Sequence, residues 1–139
     1  MNNDSIDDIE KYDDEEVDIY GDTPAERDAH INQLFGYITE RAMRRLEYDV
    51  TQEENRLLTY MAIDCLANGV EENVAIRHIL THLVGMGYFM AEEDIKETLS
   101  RVKELCVREI LAYKIAVEDV YESYAHPADV IMKVHKLMN

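Results

Sequence analysis

Residues 91–126, AEEDIKETLSRVKELCVREILAYKIAVEDVYESYAH, decide the fold class of this chain. No Gly or Pro occurs between Ala91 and Pro127, and apolar residues recur there at three- and four-residue steps. This spacing is the period of one face of an α-helix. It predicts one long helix over roughly residues 91–125, about 50 Å in length at 1.5 Å per residue. The apolar stripe of this helix is Ile95, Leu99, Val102, Cys106, Ile110, Tyr113, Val117, Val120 and Tyr124.

The middle of this stretch, residues 105–117, is apolar on more than one side. A helix that is apolar on several sides is buried on several sides. Two interpretations remain open. Either the helix is the central helix of the domain, or its second face contacts another chain. The residues of this second face are Val107, Leu111, Ile115 and Ala116.

Shorter helical patterns precede and follow the long one. TPAE contains a capping box of Thr23 and Glu26 around a proline at the first helical position, and TQEE at 51–54 resembles it. Two further helical patterns lie at about residues 71–84 and at the C-terminus. Because no part of residues 23–139 has a sheet pattern, we predict one all-α domain there, a compact bundle of about five helices.

Charge separates this domain from the segment that precedes it. The chain of 139 residues has 30 acidic and 14 basic side chains, a formal net charge of −16. Ten of the first 22 residues are acidic, so we interpret residues 1–22 as an acidic N-terminal tail. This charge favours basic protein partners. It disfavours direct contact with nucleic acid or an anionic membrane, because phosphate contacts need Lys and Arg.

Targeting signals do not appear in the sequence. The N-terminus has no basic stretch followed by an apolar one, so we expect no secretory signal. No run approaches the roughly 18 apolar residues of a membrane span. We therefore expect a cytoplasmic protein, in the host cytoplasm if the chain is viral.

Apolar and aromatic residues interrupt the acidic tail. The segment buries too little surface to order alone, and its mixed character is typical of a segment that orders on a basic, partly apolar groove. Carboxylates would steer the encounter, while aromatic and aliphatic side chains would anchor the complex. A solvated tail without a partner is the alternative interpretation. The predicted partner-binding residues are Ile9, Tyr12, Asp13, Asp14, Glu15, Glu16, Val17, Asp18, Ile19 and Tyr20.

Residues with catalytic or metal-binding chemistry show no spacing that indicates an enzyme. His78 and His82 have the i, i+4 spacing of metal ligands on a helix, but Ile79 stands where a zinc protease motif has its Glu. We interpret this pair as an exposed face and expect no metal and no cofactor. The sequence also lacks the Glu-x-x-His of di-metal bundles and the Gly-x-Ser-x-Gly elbow. Cys65 and Cys106 lie in apolar helical patterns and are predicted core residues.

Two hypotheses of function follow from these patterns. The first is a non-enzymatic acidic interaction protein that binds a basic protein surface. Its more specific form is a nucleic-acid mimic of the phage or mobile-element type, which inhibits a nucleic-acid enzyme. The alternative is a structural or assembly subunit of a homo- or hetero-oligomeric complex, such as a virion or machine component, that packs through the long helix. Salt weakens electrostatic binding far more than apolar burial, so it distinguishes the two.

Overall fold

The computed structural model describes Val17 and residues 21–139. The described residues form six α-helices and one π-helical turn, and no β-strand occurs among them. The predicted all-α compact bundle is therefore confirmed, with six helices where about five were expected. The helices are α1 (Pro24–Arg45), α2 (Glu53–Ala67), α3 (Glu72–Gly85), α4 (Glu92–Leu105), α5 (Val107–Val117) and α6 (Pro127–Met138), and the π-helical turn is Glu118–Glu122.

The region predicted as one long helix is two helices, so that part of the prediction is wrong. The chain leaves helical geometry at Cys106, with φ −111° and ψ 37°, and this residue separates α4 from α5. The Cys106 side chain is buried, and its Sγ lies 3.8 Å from the carbonyl oxygen of Ala42 in α1. Because of the break, α4 packs against α2 and α3, whereas α5 packs against α1, α2 and α6.

The core lies around α2 and α5, which contact most of the other helices. α5 presents two alanines, Ala112 and Ala116, that are fully buried and allow its backbone to approach its neighbours closely. α1 contributes Leu34 and Ile38 to the same cluster. The first half of the predicted stripe, Ile95 with Leu99 and Val102, is buried as its spacing indicates.

Both cysteines are buried with free thiols, as predicted for core residues. Burial raises the pKa of each thiol, because the charged thiolate is poorly solvated there. The pKa of Cys106 rises to about 12, first through burial and then through the nearby carboxylate of Glu109.

One of the two predicted capping boxes is present. At the start of α1 the Glu26 N–H donates to Thr23 Oγ1, and the Thr23 N–H donates to the Glu26 carboxylate. The second prediction is wrong, since the residue before α2 is Gln52 and makes no side-chain cap. The Thr51 hydroxyl and N–H donate instead to the Asp49 carboxylate, and these bonds lower the pKa of Asp49.

Side chains from several turns of α1 form hydrogen bonds with residues in the C-terminal third of the chain. The Arg27 guanidinium donates to the carbonyl of Val120, and the Tyr37 hydroxyl is hydrogen-bonded to His135 Nδ1 in α6. Arg41 donates to the carbonyl of the last residue of α6, Met138. These contacts fix the position of α6 on α1. Of the helices in the described part, none has the length and apolar character to cross a membrane.

Candidate functional site

The predicted partner-binding tail, Ile9 to Tyr20, lies outside the described residues with one exception. Val17 is described, and its side chain is 52% exposed. The prediction for this segment therefore stays a prediction, and the candidate surfaces below are built from residues 21–139.

The predicted second face of the long helix divides between solvent and core. Val107 and Leu111 in α5 are 62% and 46% exposed, Ile115 is half-buried, and Ala116 lies in the core. Leu105, at the end of α4, is exposed beside them in sequence. This exposed apolar face is available for a contact between chains, while Ala116 is occupied within the domain.

A second exposed apolar surface lies where α3 turns into α4. We call it the α3–α4 corner and define it as Val84, Met86 and Phe89 together with Glu92, Glu93 and Asp94. All six side chains are exposed, and Phe89 has the largest exposed fraction, at 79%.

The local sequence explains why Phe89 faces solvent. Gly87 adopts φ 87°, a left-handed conformation that favours glycine, and this residue turns the chain after α3. The Tyr88 N–H then donates to the carbonyl of Leu83 at 2.8 Å. Tyr88 and Met90 are half-buried and pack against the core. Phe89 lies between these two residues, and its side chain faces solvent while theirs contact the core.

The carboxylates of the α3–α4 corner occupy the first turn of α4. Negative charge at a helix N-terminus is favourable, because it complements the helix dipole. That local role leaves the carboxylates open to a partner: within residues 21–139, no ion pair or side-chain hydrogen bond involves Glu92, Glu93 or Asp94. The nearest basic residue on α4 is Lys96, and its ammonium lies 4.0 Å from the Glu72 carboxylate.

The histidine pair interpreted from its spacing as an exposed helix face is found on α3. His78 and His82 are both exposed on α3. A different group of potential metal ligands comes together in the described part of the chain, namely Asp22, His30 and His126. Asp22 precedes α1, His30 lies in its second turn, and His126 caps α6.

An ion pair with one buried partner connects α1 to α5. Glu109 Oε2 accepts a hydrogen bond of 2.8 Å from Arg45 Nε, and the Glu109 side chain is completely buried. The pair raises the pKa of Arg45, chiefly through this hydrogen bond. Glu109 Oε1 has no hydrogen-bond partner among the described residues. The carboxylate is therefore only half satisfied, and Arg45 is its counter-charge.

Tyr113 in α5 is hydrogen-bonded through its hydroxyl to Asp64 Oδ1 in α2. Burial raises the pKa of Tyr113, and the Asp64 bond raises it further, so this hydroxyl holds its proton and acts as a donor. Both contacts of α5 described so far connect it to a neighbouring helix, and Tyr113 and Asp64 also line a small cleft together with Lys114 and Glu118.

Besides this small cleft of about 190 Å³, two larger clefts open on the surface of the described domain. One, of about 470 Å³, lies between α2, α3 and α4 and includes Leu66, Ala75 and Lys103 in its lining. The other, of about 330 Å³, lies between α1 and α2 and is lined by aromatic rings that include Phe35 and Tyr60. Neither lining contains a Cys or a His.

Comparison with known proteins adds no family to this description. No protein-family model, no curated protein and no solved structure matches the chain. The function is accordingly inferred from the surfaces of the chain itself.

Proposed function

We propose that this chain is a non-enzymatic interaction protein that binds a basic surface on another protein. The observation that supports this most directly is the α3–α4 corner, where the exposed ring of Phe89 lies three residues before the first of three exposed carboxylates. An apolar anchor with charges of one sign beside it is suited to an apolar pocket with a basic rim.

The free energy available from burying Phe89 favours a binding role for the α3–α4 corner. Complete burial of a Phe side chain is worth about 1.5–3 kcal/mol, which the isolated chain does not gain at Phe89. Aromatic residues are enriched among the side chains that dominate binding energy, and exposed charges mainly raise the association rate and select the partner. Phe89 would thus supply the affinity, and Glu92, Glu93 and Asp94 would supply the selectivity for a basic partner.

The more specific form of the proposal is a nucleic-acid mimic that inhibits a nucleic-acid enzyme. The net charge of −16 supports it, since a basic channel built for phosphates attracts such a chain. Residues 1–22 contribute ten acidic side chains and one basic side chain to that charge. In this form the tail follows the channel, and the α3–α4 corner anchors the domain at its rim.

A competition experiment tests this proposal. The full chain is titrated into a panel of purified nucleic-acid enzymes with basic clefts, each holding fluorescently labelled duplex DNA, and DNA release is followed by anisotropy. We expect at least one enzyme to exchange DNA for the chain at about 50 mM NaCl and to lose the chain at about 500 mM. Binding of the chain without DNA release would support a basic partner but contradict nucleic-acid mimicry. A panel that shows neither binding nor release at low salt would contradict the proposal as a whole.

A second candidate function is an assembly subunit, and the exposed face of α5 supports it. Val107 and Leu111 lie four residues apart on one side of α5, a spacing that permits packing against another helix. Light scattering after size exclusion, on the full chain and on a chain starting at Thr23, measures the oligomeric state at low and high salt. A stable oligomer under all four conditions would favour this candidate, and monomers throughout would contradict it.

A further inference from the structure

We propose that Asp22, His30 and His126 bind one divalent transition-metal ion of the zinc type. This site would join the start of α1 to the start of α6, and it is independent of the partner-binding function proposed above. It is also separate from His78 and His82, the pair whose spacing in the sequence resembles that of metal ligands.

The three side chains already lie within the span of one ion. One ligand atom from each falls within 4.8 Å of the other two. His30 Nε2 is 3.7 Å from Asp22 Oδ2, and His126 Nε2 is hydrogen-bonded to the same oxygen. Ligand atoms of a tetrahedral zinc ion are separated by roughly 3.3 Å, given bonds of about 2.0–2.1 Å. Small side-chain movements are therefore sufficient to enclose the ion.

The donor set selects the class of metal. Two imidazole nitrogens and one carboxylate oxygen suit Zn²⁺ and the neighbouring divalent transition metals, whereas Ca²⁺ and Mg²⁺ prefer oxygen ligands alone. Three protein ligands leave a fourth tetrahedral position for water. The side chains of Asp22 and His126 are 14% and 12% exposed, while that of His30 is 39% exposed. The ion therefore has a path from solvent on the His30 side.

Metal binding at His126 Nε2 replaces the hydrogen bond to Asp22 and also affects the cap of α6, and the second change gives a local signature. The Ala128 N–H donates to His126 Nδ1 at 3.1 Å, so the ring proton of neutral His126 is on Nε2 and points to Asp22. When the ion binds Nε2, that proton must move to Nδ1, because a neutral imidazole carries one N–H. The Ala128 N–H then loses its acceptor. The metal thus replaces the side-chain cap of α6 with a direct connection to α1.

The test uses the tag-free full chain, with Zn²⁺ as the ion for calorimetry and Co²⁺ as the ion for absorption spectroscopy. We expect one equivalent of Zn²⁺ to bind with micromolar or stronger affinity, and Co²⁺ to show the intense visible bands of tetrahedral coordination. The amide signal of Ala128 in a ¹⁵N correlation spectrum should shift at the same equivalent. Binding to the folded state should also raise Tm by about 5 °C at saturating ion.

His30→Gln is the deciding variant, because it removes a ligand while leaving the Asp22–His126 contact and the α6 cap in place. We expect it to lose that equivalent, or to bind at least about 10-fold more weakly, and to lower the metal-free Tm only slightly, through the lost contacts of His30 with Asp22 and with the His126 ring. His78→Gln combined with His82→Gln is the matched control and should keep the equivalent. Loss of binding in this control, retention in His30→Gln, or no binding by the wild type would each overturn the proposal.

Discussion

Two regions of this domain hold their helices in different ways. On the side formed by α1, α5 and α6, polar side chains connect the helices, as in the Arg45–Glu109 pair and the bond from Arg41 to the end of α6. The α3–α4 corner has no such connection: no side-chain hydrogen bond or ion pair in the described structure involves residues 84–94. Only backbone hydrogen bonds and the apolar residues beneath it hold this corner.

This difference indicates which surfaces have their roles inside the domain and which remain for a partner. Where a polar group is used internally, it fixes the geometry of one helix on another. At the α3–α4 corner the carboxylates and the Phe89 ring have no internal partner in the described part, although the corner is well anchored below by Leu83. A surface that is anchored but unused is preorganised for binding, since little ordering is required when the partner arrives.

The largest effect we predict is a difference in the free energy of unfolding between variants of the buried Leu83 and the exposed Phe89. Leu83 is fully buried, so Leu83→Ala should lower the free energy of unfolding by about 3 kcal/mol through lost burial and a cavity. Phe89→Ala, six residues away, should change it by less than about 0.5 kcal/mol, because the ring contacts little. The measurement is urea unfolding followed by circular dichroism, since the chain has no Trp. Equal costs for the two variants would show that Phe89 is part of the core.

The next effect concerns the polar side of the comparison. Arg45→Ala leaves the buried Glu109 carboxylate without its counter-charge and should cost about 2 kcal/mol, less than for a fully buried pair because Arg45 is exposed to water. The matched control is Arg44→Ala, which removes a surface pair with Glu40 at i, i+4 and should cost less than about 0.5 kcal/mol. The same unfolding assay compares them. A cost for Arg45→Ala as small as that of the control would mean that the pair does not hold α5 on α1.

A smaller effect follows from the raised pKa of Cys106 at the break between α4 and α5. Its pKa rises from 9.0 to about 12 on folding, so the folded chain keeps a proton that the unfolded chain loses. The stability from this group is complete well below pH 9 and is lost as the pH rises toward 12, and at pH 10 the loss amounts to about 1.4 kcal/mol. Cys106→Ala should make the decrease in stability above pH 9 shallower. An unchanged slope in that variant would contradict the assignment.

Much of the fold could be predicted because apolar residues that recur at helical spacing are the ones that become buried. Ile95 and Val102 recur at helical spacing and lie in the core, and the capping box at Thr23 marks the start of α1. The break at Cys106 could not be predicted in the same way. No Gly or Pro marks it, and the features that accompany it are tertiary: both halves pack against α2, but only α4 packs on α3 and only α5 packs on α1 and α6, and Glu109 just beyond the break reaches across to Arg45.

The candidate surfaces were harder to predict than the helices. Phe89 lies in a short segment whose direction depends on which neighbours point inward, and sequence alone does not show that Tyr88 and Met90 do so. Asp22 and His126 are 104 residues apart in the chain, so no local spacing brings them together. The one signal available at the corner was an aromatic residue shortly after two glycines, with three consecutive acidic residues beginning three positions later.

The central claim is that the α3–α4 corner binds a basic partner, and one measurement tests it most directly. With an enzyme from the panel that binds the chain, Kd is measured for the wild type, for Phe89→Ala and for Leu111→Ala, at about 50 mM and about 500 mM NaCl. We predict that Phe89→Ala weakens binding at least about 10-fold at low salt, that Leu111→Ala binds as the wild type does, and that high salt weakens all three. Normal binding by Phe89→Ala with loss in Leu111→Ala would place the interface on α5 and contradict the claim.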